Sequence, residues 1–183
     1  MNYFTICIPV FNRQDTILRT LKSLTRQTFK DFEVLIIDDG STDKTKENVC
    51  DYIYKNKLYN YKYFYKENGG KHSALNIGIK NANSKFFMIL DSDDFLVDEG
   101  LGKLYNVAKT IENDADFCGV MMRTSCLGTN KLWGEPFPDS LKEFSYLDFH
   151  FKLKNTADSA ECNKTSIIKQ YKFPDTKCKF VPE

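Results

Sequence analysis

The chain has 183 residues, of which 42% are hydrophobic and 28% charged, and its formal net charge is +1. This composition is typical of one globular domain with a buried core and excludes a disordered chain. The near-balance of charge argues against a dedicated nucleic-acid-binding protein, because such proteins carry an excess of Lys and Arg. No apolar run reaches membrane-spanning length, and the first apolar segment, residues 3–11, contains Pro9 and lacks the basic flank of a signal peptide. We therefore expect a cytosolic protein.

Strand and helix signals alternate along the first two-thirds of the chain. Apolar, β-rich runs predict strands at residues 5–10, 33–37, 61–65, 86–90 and 117–122. Apolar residues at helical spacing predict the intervening helices, with Asp15 and Ser41 as N-caps of the first two. This order predicts an α/β fold with a Rossmann-like, mostly parallel sheet flanked by helices. The pattern fades after about residue 125, where Gly and Pro become frequent.

The six cysteines predict free thiols. None of them lies in a C-x-x-C pair, and Cys7 and Cys118 fall inside strand-like apolar runs. Buried free thiols are therefore a better interpretation than a disulfide framework or a zinc site.

Polar residues follow four consecutive predicted strands, at residues 11–13, 38–41, 68–71 and 91–94. Ligands of open parallel sheets bind outside the carboxyl ends of the strands, so these four segments should line one crevice. Unrelated polar loops are the alternative, but they do not explain five aspartates at two strand ends.

The acidic run after the fourth strand indicates a metal site. Asp91, Asp93 and Asp94 repel one another, and the run contains no Lys or Arg. A divalent cation relieves that repulsion, and carboxylate oxygens suit Mg²⁺ or Mn²⁺. Substrate phosphates commonly complete such a site. The alternative is a solvated acidic turn that caps the next helix.

The other loops offer groups for a nucleotide. Asp39 can accept hydrogen bonds from a ribose hydroxyl or a base N–H, whereas Asp38 is assigned a structural role in an Asp-Gly turn. Residues 68–71 bring backbone N–H groups and Lys71 to a helix start, which suits a diphosphate unless the loop is simply flexible.

Three further polar residues remain ambiguous. His72 is interpreted as a polar residue at a helix start in preference to a metal ligand. Asn76 can bind ligand, cap locally or face solvent, and Arg13 can reach phosphate or remain solvated.

Taken together, these segments resemble family 2 of the inverting glycosyltransferases, which have the glycosyltransferase-A fold. The matching pieces occur in family order between residue 1 and about residue 122, at residues 8–12, 23–29, 34–43, 68–70, 74–78 and 90–94. The ordered set is more specific than any single piece. The resemblance divides the single domain, 1–183, into a nucleotide-sugar-binding half, 1–122, and the start of an acceptor-side region, 123–183.

The resemblance also implies roles for individual residues. Pro9, Val10 and Phe11 would border the base, Asp39 would bond the base or ribose, Asp91 would orient ribose or metal, and Asp93 would be the main metal ligand. The full set placed around the nucleotide sugar is Pro9, Val10, Phe11, Asn12, Asp39, Gly69, Gly70, Lys71, Asn76, Asp91, Ser92 and Asp93.

The implied reaction is a single displacement at the anomeric carbon, with Mg²⁺ or Mn²⁺ neutralising the departing nucleoside diphosphate. The family's base lies in an acidic motif well downstream, which residues 179–183 resemble, so Glu183 would be the catalytic base. Asp158 and Glu161 are weaker candidates. Because Glu183 is the last residue, we expect the chain to be incomplete on the acceptor side.

By the same resemblance, a UDP-sugar is the expected donor, and a lipid-linked or growing cell-envelope glycan is the expected acceptor. The location is expected to be cytosolic, with peripheral association at the inner face of the membrane left open. A nucleotide-sugar-binding fragment without turnover and a sugar nucleotidyltransferase are the alternatives. A nicotinamide-dependent dehydrogenase is excluded because G-x-G-x-x-G does not follow the first strand.

Overall fold

The computed structural model describes residues 1–129, 131–132, 143, 145 and 159–174. Its strands are β1 (Asn2–Val10), β2 (Phe32–Asp38), β3 (Tyr61–Tyr65), β4 (Ser84–Ile89), β5 (Gly119–Arg123) and β6 (Ser159–Lys164). Its helices are α1 (Ile17–Thr25), α2 (Thr45–Lys55), α3 (Lys71–Asn81), α4 (Gly100–Ile111) and α5 (Thr165–Ile168). None of the helices in these residues is both long and apolar enough to cross a membrane.

The chain divides into two compact units. The first consists of Met1–Val120 and Cys162–Glu183, and the second of Met121–Glu161. The first unit contains β1 to β4 and all five helices. In the described part of the second unit, the Cys126 N–H donates to the Lys131 carbonyl oxygen, and Ser125 pairs with Leu132.

The strands form one sheet in the order β3-β2-β1-β4-β6-β5. The pairs β1–β2, β1–β4 and β2–β3 are parallel, whereas β4–β6 is antiparallel. Every residue of β2 is buried, which is why this strand is almost continuously apolar. The predicted mostly parallel sheet flanked by helices is confirmed.

Helix α3 covers one face of this sheet. Its side chains Ala74, Leu75 and Ile79 pack with Cys7, Leu35, Ile37, Phe87 and Ala82 in a buried apolar cluster. Gly78 makes the close approach of α3 to β1 feasible, because a Cβ atom there would lie 2.3 Å from Cys7 Sγ.

The structure corrects both predicted helix caps. Helix α1 follows Thr16 instead of Asp15, and α2 follows Lys44 instead of Ser41. Neither helix has a side-chain cap at its N-cap residue. The Ser41 hydroxyl instead accepts a hydrogen bond from the Asn12 N–H, a partner 29 residues away that local sequence does not reveal.

The five described cysteines are free thiols, as predicted, and Cys7 and Cys162 are buried. The predicted burial of Cys118 is wrong: it is exposed and directly precedes β5, which begins at Gly119 and not at residue 117. Cys178 lies outside the described residues.

A buried carboxylate lies near the start of β2. Glu33 accepts hydrogen bonds from the Thr5 hydroxyl at 2.9 Å, the Asn83 N–H at 3.0 Å and Lys62 Nζ at 3.0 Å. Burial alone raises the pKa of Glu33, but the hydrogen bonds and the Lys62 charge outweigh it and lower the pKa below its usual value of 4.5. The network therefore stabilises the ionised form.

Glu33 should make folding stability depend on pH. Because its pKa is lower in the folded protein, its contribution is present above the unfolded pKa and is lost as pH falls through the folded pKa. We expect Glu33→Gln to lower the free energy of unfolding by about 2 kcal/mol near pH 7. Urea titrations near pH 7 and near pH 4 test this, since the deficit of the variant should shrink at the lower pH.

Glu47→Gln, at an exposed position in α2, is the matched control and should change stability by less than about 0.5 kcal/mol. A deficit of Glu33→Gln that is the same at both pH values would contradict this assignment.

Candidate functional site

The pairing of β1 with β4 ends at the carboxyl edge of the sheet, where the loops after these two strands begin. The Cys7 carbonyl oxygen accepts from the Leu90 N–H at 3.0 Å, and the Val10 carbonyl oxygen accepts from the Asp39 N–H at 2.9 Å. The backbone groups of successive strand residues point to opposite sides of the strand, so Pro9, two residues after Cys7, faces β4 as Cys7 does. Because proline has no backbone N–H, Pro9 cannot donate a hydrogen bond to β4. Pro9 therefore ends the β1–β4 ladder at the carboxyl edge. The strand order reverses between β1 and β4, and open α/β sheets bind ligands at such a position.

Two loops at this edge are joined through Asn12. Its N–H donates to Ser41 Oγ at 2.9 Å, and its side-chain Oδ1 accepts from the Thr42 N–H at 2.8 Å. Asn12 has a φ of 51°, a left-handed conformation that Asn tolerates better than most residues. The neighbouring Phe11 side chain is 44% exposed beside this junction.

Asp39 organises the loop after β3. Its buried carboxylate forms an ion pair with Lys66 and accepts the N–H groups of Gly69 at 2.9 Å and Gly70 at 2.7 Å. Gly40 has a φ of 84°, and a Cβ there would lie 2.7 Å from the Asn68 nitrogen. Only glycine fits this close approach between the loop after β2 and the loop after β3.

These contacts revise the predicted diphosphate seat. The Gly69 and Gly70 N–H groups, expected to face a ligand, donate instead to the Asp39 carboxylate. Two donors and an ammonium group compensate this buried charge. Asp39 Oδ2 carries one of these bonds, and an ionised carboxylate oxygen has further acceptor capacity.

Asp38 has a structural set of contacts. Its carboxylate accepts the Ser41 N–H at 2.7 Å and the Tyr63 hydroxyl. Burial and the adjacent Asp38 carboxylate raise the pKa of Tyr63, so this hydroxyl stays protonated and donates.

The acidic loop after β4 is neutralised by cations from other loops. Lys71 Nζ lies 2.9 Å from Asp91 Oδ1, and Arg13 Nε lies 3.7 Å from Asp93 Oδ2. Cationic side chains distant in sequence therefore offset part of the repulsion that the sequence analysis assigned to a divalent cation. Among the residues that the structure describes, no three His, Cys, Asp or Glu side chains converge as a metal-binding group.

The loops nevertheless meet at one place. Asp39 is bonded to Gly70, the adjacent Lys71 is paired with Asp91, and Asp93 is paired with Arg13. Asp39 and Asp93 thus belong to the same edge of the sheet.

Comparison with known proteins identifies the family. Residues 5–173 match the model of Glycosyl transferase family 2. The chain belongs to glycosyl transferase family 2. The resemblance seen in the sequence is thereby confirmed.

Individual relatives are longer than this chain. An uncharacterised glycosyltransferase of Rickettsia conorii is 48% identical over 92 residues, which are 49% of this chain and 14% of the relative. The crystal structure of S. aureus TarS has a TM-score of 0.70 and 27% identity, covering 94% of this chain and 30% of TarS. A TarS fragment in complex with UDP has a TM-score of 0.67 and 28% identity, covering 94% of this chain and 50% of the fragment.

In this family 2 chain, the side chain of the predicted site residue Asn76 bonds another part of the chain, and His72, which was not assigned to the site, is buried. The Asn76 side chain donates to the Phe173 carbonyl oxygen and accepts the Phe173 N–H, both at 3.0 Å. This pair favours a structural role for Asn76 over the predicted ligand contact. His72 is buried in α3, and its Nδ1 atom has no hydrogen-bond partner among the described residues.

The base expected in this family 2 chain lies beyond what the structure describes. Glu183 and Asp158 are outside the described residues. Glu161 is on β6, within the second unit.

Sequence reasoning missed several residues that build the site. Lys66 was not singled out, because its partner Asp39 is 27 residues away. No role was predicted for Thr20, Ser23 or Gln27, although Ser23 and Gln27 lie in the 23–29 segment of the family resemblance. Their spacing of three and four residues is a recognisable signal for one helix face. All three are buried and polar.

A separate cavity of about 390 Å³ lies at the amino edge of β4. Its lysines Lys85, Lys164 and Lys169 already bond Glu112 or backbone carbonyl oxygens. We therefore place the candidate site at the opposite, carboxyl edge of the sheet and not in this cavity.

We expect Asp39→Ala to lower the free energy of unfolding by about 3 kcal/mol, because it leaves the Lys66 ammonium and two N–H groups without their acceptor. Urea denaturation of the variant measures this loss. Asp51→Ala, which breaks an exposed pair with Lys55, is the control and should cost under about 1 kcal/mol. Equal effects of the two substitutions would contradict the role assigned to Asp39.

Proposed function

We propose that this chain binds a nucleotide-diphosphate sugar, with a UDP-sugar as the donor, as part of a glycosyltransferase that transfers the sugar to an acceptor hydroxyl with inversion. The observation that carries the proposal is the meeting of Asp39, Lys71, Asp91, Arg13 and Asp93 at the carboxyl edge of the sheet. The structures of TarS fragments in complex with UDP and with UDP-GlcNAc support the choice of nucleotide.

In this proposal, the nucleotide's base lies beside Pro9, Val10 and the exposed Phe11, at the end of β1. Asp39 Oδ2 is the acceptor for a base or ribose group, and Asn12 holds the adjoining loops together. We propose that the cationic groups paired with Asp91 and Asp93 bind the diphosphate.

Lys71 and Arg13 are those cationic groups. Each is partly exposed, and each is paired with a carboxylate instead of being buried in the core. Surface pairs of this kind contribute little stability, so exchange of a carboxylate for a phosphate carries a small energetic cost. Charge-assisted bonds to phosphate then favour the bound state.

The donor chemistry at this edge fits Mg²⁺ or Mn²⁺. Asp93 is half-exposed and Asp91 lies in the same loop, so both can offer hard oxygen ligands while phosphates complete the coordination. Mannosyltransferase PcManGT from Pyrobaculum calidifontis, in complex with GDP-Man and Mn²⁺, shares the fold at a TM-score of 0.57 and 21% identity, covering 66% of this chain and 35% of that protein. When bound, the cation would neutralise negative charge on the departing nucleoside diphosphate.

The reaction we propose is one displacement. The acceptor oxygen forms a bond to the anomeric carbon as the bond to the diphosphate oxygen breaks, and the diphosphate leaves with the electron pair. A carboxylate takes the acceptor proton. Glu183 remains the predicted base, with residues 1–122 binding the donor and residues 123–183 beginning the acceptor side.

The chain spans 14% of the Rickettsia relative and 30% of TarS, so turnover by this chain alone is a separate question from donor binding. A binding unit without turnover is the second candidate function. Donor hydrolysis and transfer should be compared between this chain and one extended beyond residue 183. The cell-envelope acceptor, the cytosolic location and the peripheral membrane association remain predictions.

A thermal-shift screen of nucleotide sugars with Mn²⁺ tests the proposal directly, because a ligand that binds the folded state raises the unfolding temperature. We expect UDP-sugars to give the largest increase. No increase with any nucleotide sugar would refute the proposed function.

We expect Asp93→Asn to abolish the Mn²⁺-dependent part of UDP binding measured by calorimetry, because the substitution removes the proposed ligand charge while preserving size. Asp98→Asn is the matched control, since Asp98 is exposed and pairs with Arg26. Unchanged Mn²⁺-dependent affinity in Asp93→Asn would refute the metal assignment.

A further inference from the structure

One face of α1 and its flanking residues carries a line of polar side chains. Thr16, Thr20, Ser23 and Gln27 are separated by four, three and four residues, which places them on one side of a helix. Thr20, Ser23 and Gln27 are completely buried. Buried polar side chains require partners, and here partners lie in the chain from the end of β4 to the first turn of α4.

The first contacts are on either side of Asp93. Thr20 Oγ1 lies 3.0 Å from the Ser92 carbonyl oxygen and 2.6 Å from the Asp94 carbonyl oxygen. Because a hydroxyl has one proton, Thr20 donates to one of these carbonyls at a time. Thr16 Oγ1 also donates to the Ser92 carbonyl oxygen, at 3.2 Å. The backbone is therefore held directly before and directly after Asp93.

The remaining contacts continue along the same loop. Ser23 Oγ accepts the Leu96 N–H at 3.2 Å. Gln27 Nε2 donates to the Val97 carbonyl oxygen at 2.8 Å, while Gln27 Oε1 accepts the Leu101 N–H at 2.9 Å. The Gln27 amide thus bonds a loop carbonyl, which also accepts the Gly100 N–H, and an N–H in the first turn of α4, where N–H groups have no partner within the helix.

The Asp93 side chain itself is weakly held. It is 52% exposed, and its ion pair with Arg13 has a separation of 3.7 Å. Side-chain packing therefore contributes little to the placement of this carboxylate. Its position depends on the backbone of residues 92–94. The Thr16 and Thr20 hydroxyls bond the flanking carbonyl oxygens, and Arg19 Nη2 donates to the Asp93 carbonyl oxygen at 2.5 Å.

We propose that Thr20 is a positioning residue for Asp93, and that the polar line on α1 holds the acidic loop in the arrangement that binds the metal and diphosphate. This inference rests on the proposed function for its effect on binding, but not for its effect on the loop. Groups that orient metal ligands commonly change metal affinity by about tenfold or more when removed.

The test compares Thr20→Val, which removes the hydroxyl and keeps the shape, with Thr20→Ser, which keeps the hydroxyl. Thr25→Val is the matched control: Thr25 is also on α1, but its hydroxyl bonds the helix backbone and Tyr52. Two quantities are measured on each variant: UDP affinity with and without Mn²⁺ by calorimetry, and amide hydrogen exchange of residues 91–98.

We expect Thr20→Val to speed exchange in residues 91–98 and to weaken Mn²⁺-dependent UDP binding about tenfold. Thr20→Ser and Thr25→Val should stay within about twofold of the parent chain in both measurements. Parent-like exchange and affinity in folded Thr20→Val would overturn the proposal, as would equal losses in Thr20→Val and Thr20→Ser.

Two further outcomes are also decisive. If Thr20→Val does not fold, Ser23→Ala replaces it, and unchanged exchange at Leu96 would overturn the role of the polar line. If the parent chain binds no UDP with Mn²⁺, the proposed function fails. Hydrogen exchange alone then decides whether Thr20 holds the loop.

Discussion

The parallel alignment of β1, β2, β3 and β4 is the constraint on which the candidate site depends. Parallel strands have their carboxyl ends at one edge, so four loops that are distant in sequence must begin side by side. Pro9 then ends the pairing of β1 with β4 where two of these loops begin. An antiparallel arrangement of the same strands would distribute the acids over both edges.

Charge compensation is the second organising principle of this edge. Asp39 is buried and bonded to Lys66 and to the N–H groups of Gly69 and Gly70, so it acts as an internal anchor for the loop after β3. Asp91 and Asp93 are more exposed, and their cationic partners come from other loops. The buried pair resists exchange because breaking it leaves an uncompensated charge, whereas the exposed pairs can exchange partners with a phosphate or a cation.

Helix α1 links the core to the acidic loop. Its apolar residues, including Leu21 and Leu24, are buried. Thr20, Ser23 and the following Gln27 are also buried, and they form hydrogen bonds with the chain after β4. The segment at residues 23–29, one of the pieces by which the family was recognised, therefore has a physical role in holding that chain. It supports the acidic loop without contributing a side chain to the group of charged residues at the carboxyl edge.

The order of strands and helices could be predicted from sequence because buried strands and amphipathic helices have local periodic patterns. The family, the parallel sheet and the edge that gathers Asp39 and Asp93 followed from those patterns and from the ordered motifs. What only the tertiary structure decided were the partners: Lys66 for Asp39, Lys71 for Asp91 and the α1 hydroxyls for the acidic loop. Those partners are 20 to 74 residues apart in the chain, and hydrogen bonds and ion pairs at such separations leave no periodic trace in sequence.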